Sequence, residues 1–178
     1  AERGAGLVRQ IVAFARGSEG AERTELQPGH LIRDVVGMAR ETFPKTITIN
    51  SKASEELSLI RADPTQIHQV LLNLLVNARD AMNASGTITV TAENRVLDAA
   101  FASQQPGAQA GPHLVLRVSD TGSGMTPEVL AKIWNPFFTT KAPGKGTGIG
   151  LSTVAKIVQA HGGFVDVTSQ PGRGTTFT

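Results

Sequence analysis

Apolar and polar residues follow two different spacings along the chain. Apolar residues three and four positions apart predict helices, which cover residues 5–16, 30–43, 64–82, 126–134 and 149–163. Alternation of apolar and polar residues predicts strands, which cover residues 45–50, 56–62, 87–96, 113–120, 164–169 and 174–178. Because helices and strands mix without regular alternation, we expect an α+β fold in which helices cover one face of a mixed sheet.

Two stretches show neither spacing, and one local signal marks a helix start. Residues 19–29 are charged and are predicted to be a linker, whereas residues 99–112 are predicted to be a loop of low complexity. Asp63 stands directly before Pro64, with Gln66 three residues after Asp63, which is typical of a helix N-cap. The long helix that follows is therefore predicted to begin at Pro64.

The composition narrows the class of protein. The 178 residues suffice for one domain, and 40% hydrophobic and 18% charged residues are ordinary for a soluble protein. A net charge of +2 gives no indication of a nucleic-acid partner. The sequence has no secretory signal and no apolar run near the roughly 20 residues of a membrane span. The absence of cysteine excludes disulfides, thiolate zinc sites and cysteine nucleophiles. We expect a cytoplasmic piece of a longer protein, without direct membrane contact.

A line of polar residues runs along the otherwise apolar helix over residues 64–82. Its members recur at spacings of three or four, and they are Gln66, Gln69, Asn73, Asn77 and Asp80. Exposure to solvent is the plain interpretation, but exposed helix faces favour Glu, Lys and Arg, whereas asparagine is a poor helix former. Amide oxygens suit Mg²⁺, which also retains waters and binds substrate phosphates.

Glycines cluster in two segments that carry candidate chemistry. The sequence VSDTGSGM delivers Asp120 from a predicted strand into a turn whose glycines let a ligand approach the backbone closely. The sequence NPFFTTKAPGKGTGIGLS leads through a cationic glycine-rich loop into a helix N-terminus. Backbone N–H groups at such a terminus, with Lys141 or Lys145 beside them, suit a polyphosphate. The loop does not match the common phosphate loop with Gly, four residues, Gly, Lys and Ser or Thr.

Five segments, in this order, carry a resemblance to a known family: NLLVNARDAM, DTGSGM, NPFFTTK, GKGTGIGLS and GRGTTF. They resemble the nucleotide-binding boxes of the sensor histidine kinase catalytic domain, in particular its nitrogen-regulator and hybrid-kinase branch. That domain belongs to an ATPase superfamily shared with DNA gyrase, MutL proteins and the large heat-shock chaperones. The resemblance implies a Bergerat ATP-binding fold, a two-layer α/β sandwich, over residues 31–178 with a truncated last strand. Residues 1–20 are similar to the second helix of the dimerisation and phosphotransfer hairpin, and residues 21–30 would be the linker.

Position by position, the resemblance implies a site for ATP and Mg²⁺. Asn77 would coordinate Mg²⁺, Asn73 and Asp80 would line the triphosphate pocket, and Asp120 would accept a hydrogen bond from the adenine amino group. The other positions implied to contact ATP are Gly122, Gly124, Met125, Phe137, Phe138, Thr139, Thr140, Lys141, Lys145, Gly146, Thr147, Gly148, Ile149, Gly150, Leu151 and Thr176. The glycine-rich loop would then be a lid, flexible because it must admit the nucleotide and move with its phosphates.

The implied reaction is transfer of the ATP γ-phosphoryl group to a histidine on the hairpin. Gyrase-type ATPases activate water with a glutamate one turn before the metal-binding asparagine. Here that position holds Asn73, and an amide cannot act as a general base at neutral pH. None of the four histidines, His30, His68, His113 and His161, has the context of the phospho-accepting residue. The chain is therefore expected to bind Mg·ATP without phosphorylating itself, and no catalytic residue is identified in it.

The resemblance also implies partners. These are the chain's own hairpin, in a parent protein expected to be a homodimer, and the receiver domain of a response regulator. An alternative is a regulatory nucleotide-binding module that lacks phosphotransfer competence. A third interpretation, an ATP-driven conformational clamp, is disfavoured by Asn73 and by the absence of a following transducer domain.

Overall fold

The structure, a computed structural model, describes residues 22–54, 56–83, 85–105, 107–142 and 146–178. The helix predicted over residues 5–16 and the predicted contact of Lys145 lie outside the described residues. The helices are α1 (Pro28–Thr42), α2 (Pro64–Ala81), α3 (Ala99–Gln104), α4 (Pro127–Leu130) and α5 (Gly150–Ala160). The strands are β1 (Thr24–Leu26), β2 (Ile47–Ala53), β3 (Ile60–Ala62), β4 (Gly86–Leu97), β5 (Gly111–Asp120), β6 (Val167–Gln170) and β7 (Gly174–Phe177).

Five of these strands form a mixed sheet in the order β2-β4-β5-β7-β6. Strands β2 and β4 run parallel, and every other neighbouring pair in this sheet is antiparallel. Alternation along β4 buries Ile88, Val90 and Ala92, whereas the threonines between them point to the other face. The predicted hairpin of β4 with β5 is confirmed.

The hydrophobic core lies between one face of the sheet and helices α1, α2 and α5. Helix α2 contributes Leu71, Leu74, Leu75 and Ala78, each at most 5% exposed. These residues recur three and four positions apart, so one face of the helix meets the sheet. The expected α+β architecture, a two-layer sandwich with helices on one face of a mixed sheet, is confirmed.

Three local predictions need correction. Within the predicted linker, β1 pairs with β3 in a separate two-stranded sheet, where Leu26 lies opposite Ile60. Within the predicted loop, α3 forms, because the Asp98 side chain accepts a hydrogen bond from Phe101 N at 2.7 Å and caps it. The strand predicted over residues 56–62 is limited to β3. In the residues before β3, the Ser58 N–H and the Glu56 carbonyl bond to the Asn94 side chain and not to a neighbouring strand.

The N-terminus of α2 is capped as predicted, and it is also held by a histidine. The Asp63 carboxylate accepts hydrogen bonds from Thr65 N at 2.8 Å and Gln66 N at 3.3 Å. The Asp63 N–H donates to Nε2 of His161, whose Nδ1 contacts the Ile157 carbonyl at 2.8 Å. Since a carbonyl only accepts, Nδ1 is the donor in this contact and Nε2 is the acceptor for the Asp63 N–H. His161 therefore joins the end of α5 to the start of α2 by hydrogen bonds.

We expect Asp63→Ala to lower the free energy of unfolding by about 1 kcal/mol, the usual cost of losing an N-cap. The matched control is Asp98→Ala, because the same kind of cap there begins a six-residue helix with no buried residue. That control should change the stability less. Urea unfolding of both variants measures the difference. Equal losses of stability would mean that the cap of α2 matters no more to the fold than the cap of α3.

Candidate functional site

One cavity of about 1090 Å³ opens between α2, the end of β5 and the glycine-rich segment before α5. Its lining contains fifteen of the predicted site residues, and these are Asn73, Asn77, Asp80, Asp120, Gly124, Met125, Phe138, Thr139, Thr140, Lys141, Gly146, Thr147, Gly148, Gly150 and Leu151. Sequence segments up to about 80 residues apart thus meet around a single space. Its size is at the upper end of the range typical of small-molecule sites.

Three members of the polar line on α2, Asn73, Asn77 and Asp80, line the cavity, and none of the five is exposed, so the solvent-facing interpretation is wrong. The Asn73 Nδ2 group donates a hydrogen bond to the Gly150 carbonyl at 3.3 Å, which joins the two helices. One turn later Asn77 lines the cavity, and its side chain makes no hydrogen bond within the described part of the chain. The two asparagines therefore differ: Asn73 joins helices, and Asn77 presents an amide to the cavity.

The last turn of α2 holds an ion-pair cluster at the cavity wall. The Asp80 carboxylate accepts from Arg79 Nη2 through Oδ1 at 2.7 Å and from Lys141 Nζ through Oδ2 at 2.6 Å. Burial alone would raise the pKa of Asp80, but the hydrogen bonds and charges of Lys141 and Arg79 outweigh it and leave that pKa below its usual value. Asp80 is therefore ionised at neutral pH.

Asp120 ends β5 with its side chain in the cavity wall. It is 8% exposed, and its Oδ1 accepts a hydrogen bond from Gly122 N at 2.8 Å. Burial raises the pKa of Asp120, although bonds from the Gly122 and Thr175 backbone N–H groups oppose the shift. A buried carboxylate with a free lone pair is suited to accept a hydrogen bond from an amine on a bound ligand.

The two glycines after Asp120, Gly122 and Gly124, allow the backbone to pack closely against neighbouring segments. A Cβ on Gly122 would lie 2.6 Å from the Ala81 carbonyl, so glycine lets this turn pack directly on the end of α2. Gly122 itself does not line the cavity, so its place in the structure is beside the predicted site and not in its wall. Gly124 has φ +63° and lies against the Gln170 carbonyl, in a position where any Cβ would overlap it.

The glycine-rich segment is closed at its base by a backbone hydrogen bond. Phe137 N donates to the Gly148 carbonyl at 2.9 Å, and both residues have positive φ, +68° and +66°. Phe137 is 67% exposed and does not line the cavity, whereas Phe138 does. Of the two aromatics implied to contact ATP, Phe138 therefore lies at the cavity, whereas the ring of Phe137, whose backbone is left-handed, lies in solvent.

Two further residues predicted as contacts do not line the cavity, and a threonine that was not predicted does. Ile149 is 3% exposed and lies in the hydrophobic interior, away from the cavity. Thr176 bonds to Ser119 on the uncovered face of the sheet, with 2.9 Å between the hydroxyl oxygens. Its neighbour Thr175 lies opposite Asp120 and lines the cavity. Because strand side chains alternate, the pairing with Asp120 fixes which threonine faces the cavity, and the unpaired sequence does not show that register.

The apolar part of the lining was also missed by sequence reasoning. It consists of Val76, Val129, Ile133 and Phe177. These residues read as ordinary core positions at helical or strand spacing, so nothing in the sequence separates them from the rest of the core. They give the cavity an apolar wall beside Asp120, which suits a flat heterocyclic group.

Within residues 22–178, apart from the short gaps, no helix is both long and apolar enough to cross a membrane.

Comparison with known proteins agrees with this geometry. Residues 62–178 match the family described as histidine kinase-, DNA gyrase B- and HSP90-like ATPase. Sensor kinase CckA of Brucella abortus (strain 2308) is 42% identical over 183 residues, which is 99% of this chain and 19% of CckA. The chain spans about a fifth to a third of the length of the curated relatives it matches.

Solved structures give the same result. The catalytic domain of histidine kinase ThkA is 31% identical with a TM-score of 0.68, over 88% of this chain and 92% of that one. Full-length ShkA in complex with AMPPNP is 28% identical with a TM-score of 0.76, over 97% of this chain and 34% of that one. The chain therefore belongs to the histidine kinase-, DNA gyrase B- and HSP90-like ATPase family, as an ATP-binding catalytic domain of the sensor histidine kinase type.

Proposed function

We propose that the chain binds Mg·ATP in this cavity and serves as the catalytic part of a histidine kinase, transferring the γ-phosphoryl group to a histidine on a hairpin domain. The observation that carries this proposal is the convergence of Asn77, Asp120 and the lysine-bearing lid on one cavity. Their chemistry suits a metal ion, an amine-bearing base and phosphates respectively. The complex of ShkA with AMPPNP supports the same assignment.

Mg²⁺ fits the residues that are present. Within the described residues no group of three or more His, Cys, Asp or Glu side chains could hold a metal. Asn77 can offer one amide oxygen, and Mg²⁺ is commonly held by one or two protein oxygens together with waters and substrate phosphates. When bound, the ion neutralises charge that develops on the phosphoryl group.

The residues around the proposed phosphate position favour transfer over hydrolysis. Asn73 uses its amide N–H group to hold Gly150, and an amide cannot take a proton from water at neutral pH. Lys141 lies at the cavity wall beside the lid glycines and is the described cation suited to the phosphates. The chain thus orients ATP and leaves the nucleophile to another domain.

The acceptor is proposed to be a histidine outside this chain, since none of His30, His68, His113 and His161 lines the cavity. We propose that residues 1–20 belong to this hairpin domain, in a homodimeric parent protein. A response-regulator receiver domain is the next partner, and the complex of ThkA with the response regulator TrrA supports it. A cytoplasmic location follows for this part of the protein, because both ATP and such regulators are found there.

The test is phosphotransfer in trans. The chain is mixed with its hairpin and γ-labelled ATP, and acid-labile label is expected on the hairpin and not on the chain alone. Transfer that fails while ATP still binds would favour the regulatory module. Absence of ATP binding would overturn the proposal.

The buried position of Asp120 predicts how nucleotide binding depends on pH. Because the pKa of Asp120 is raised above the ordinary value of 3.8, this carboxyl takes up a proton at a higher pH than an exposed aspartate does. The neutral acid loses the acceptor strength that binds an amine. We therefore expect the affinity for ADP to fall as the pH is lowered, and to begin falling at a higher pH than the ordinary pKa of an aspartate would give, measured by titration calorimetry.

The control separates binding from unfolding, because the same group has the opposite effect on stability. A raised pKa contributes stability below the unfolded pKa, and that contribution is lost as pH rises through the folded pKa. Asp120 ionisation thus cannot explain unfolding in acid. Asp120→Asn should bind ADP weakly and with little dependence on pH over this range. An unchanged pH profile in this variant would show that another group is responsible.

A further inference from the structure

The lid is joined to α2 by a side-chain contact that spans 61 residues of sequence. Lys141 belongs to residues 138–142, the first stem of the lid. Its Nζ lies 2.6 Å from Asp80 Oδ2. The two side chains are 34% and 25% exposed, so the pair is partly shielded from water. Shielded pairs interact more strongly than the exposed ion pairs that contribute little to stability.

The aspartate in this pair is itself held in place. Arg79 donates from both Nε and Nη2 to Asp80 Oδ1, at 2.9 and 2.7 Å, and this leaves Oδ2 for Lys141. The Arg79 guanidinium lies 5.0 Å from the ring centroid of Phe43, which is buried beside the end of α1. The carboxylate is therefore fixed by the body of the domain and not by the lid.

The lysine is fixed from its own side as well. Its backbone N–H donates to Thr139 Oγ1 at 3.1 Å, and its methylene groups lie against Gly146 on the returning side of the lid. A Cβ on Gly146 would lie 3.0 Å from Lys141 Cδ, so glycine leaves room for the lysine stem. Thr139 and Gly146 therefore flank Lys141, and its head group is directed toward α2.

A free carboxylate at this position would repel the phosphates of a bound nucleotide. Asp80 has both oxygens engaged by cations, and the three groups together carry one net positive charge. An ammonium group has three donors, and the bond to Asp80 leaves two of them for other acceptors in the cavity. This arrangement suits a residue that orients a lysine and does not suit a residue that binds phosphate or metal.

We propose that the Asp80–Lys141 ion pair is a tether that fixes the first stem of the lid, residues 138–142, to α2. Asp80 is then a positioning residue for Lys141. The role of the pair in nucleotide affinity rests on the proposed function, whereas the tether itself rests on contacts within the chain.

The first test is hydrogen exchange of the lid stem in the nucleotide-free protein. Asp80→Asn and Lys141→Met should each speed exchange in residues 138–142 by about 3- to 10-fold, because local opening no longer breaks the pair. The double variant should exchange no faster than either single variant. The swapped variant Asp80→Lys/Lys141→Asp should recover part of the protection, which a merely structural role for either side chain would not give.

Matched controls use exposed residues of the same types. Asp34→Asn on α1 and Lys132→Met after α4 remove the same charges away from the cavity and should leave exchange in the stem unchanged. If the swapped variant fails to fold, Lys141→Arg supplies the rescue, since it keeps the charge. Unchanged exchange in the single variants, or effects that add in the double variant, would overturn the tether.

The second test is ATP affinity by calorimetry. With a tether, Asp80→Asn weakens ATP binding by about 3- to 10-fold when Lys141 is present and does not weaken it in the Lys141→Met background. If Asp80 acts only as a repelling charge, Asp80→Asn strengthens binding in both backgrounds, and the positioning role is wrong. Failure of the wild type to bind ATP would refute the proposed function, while the exchange experiment would still decide on the tether.

Discussion

Asn77→Ala is expected to reduce the Mg²⁺-dependent affinity for ATP by about 10- to 100-fold, the range typical when support for a bound metal is lost. Asn77 lines the cavity, and its side chain makes no hydrogen bond within the described residues, so Asn77→Ala breaks no hydrogen bond of the fold. Alanine is also the better helix former. Stability should therefore stay the same or rise slightly while binding falls.

The measurement is titration calorimetry with ATP, with and without Mg²⁺, together with urea unfolding of the same samples. Gln69→Ala is the matched control, because Gln69 lies on the same polar line of α2 but outside the cavity. Asn73→Ala is a useful comparison, since it removes the bond to Gly150 and should cost stability as well. An equal loss of affinity with and without Mg²⁺ would contradict the metal role of Asn77.

Gly124→Ala is expected to cost about 3 kcal/mol of stability or more, and to abolish nucleotide binding. A Cβ there would lie 1.9 Å from the Gln170 carbonyl and 3.2 Å from the Gly174 carbonyl, and backbone atoms cannot move aside as side chains do. The left-handed φ of +63° adds about 1 to 2 kcal/mol for any residue with a Cβ. The turn after Asp120 must therefore shift, and the wall of the cavity shifts with it.

Gly172 provides a control that separates the two causes. Its φ is +75°, but nothing lies within 4 Å of a Cβ placed on it. Gly172→Ala should therefore show the backbone cost alone, and Gly124→Ala should show the backbone cost plus the overlap. Urea unfolding of the two variants gives the difference. Similar losses in both would mean that the turn relaxes freely and that close packing is not the reason for glycine at position 124.

The sequence was informative where a signal is long or chemically unusual. Helix α2 combines a cap, a proline at its first turn and regular apolar spacing over 18 residues, so its start was predicted to the residue. Asparagines in an apolar helix are unusual enough to mark a site, and Asn73 and Asn77 both line the cavity. Three-residue β1 has too few residues for any spacing to emerge, and it forms only because β3 offers a partner.

The errors in the site have a common physical origin. Which threonine of β7 faces the cavity depends on its pairing with β5, a tertiary contact that the local pattern does not contain. The same holds for Phe137 and Phe138, adjacent aromatics whose directions are set by a left-handed backbone at the first of them. The motifs therefore identified the correct segments, and the register of one residue within a segment required the structure.

The hydrogen bond from Phe137 N to the Gly148 carbonyl brings the two ends of the lid together independently of what lies between them. The entropic cost of closing a loop grows slowly with its length, by about 0.6 kcal/mol for each doubling of the number of residues. Insertions, deletions and changes of charge between these ends can therefore accumulate with little effect on the sheet and on α5. Divergence among related domains should concentrate there, and the lid is a natural place to alter nucleotide exchange by changing loop length.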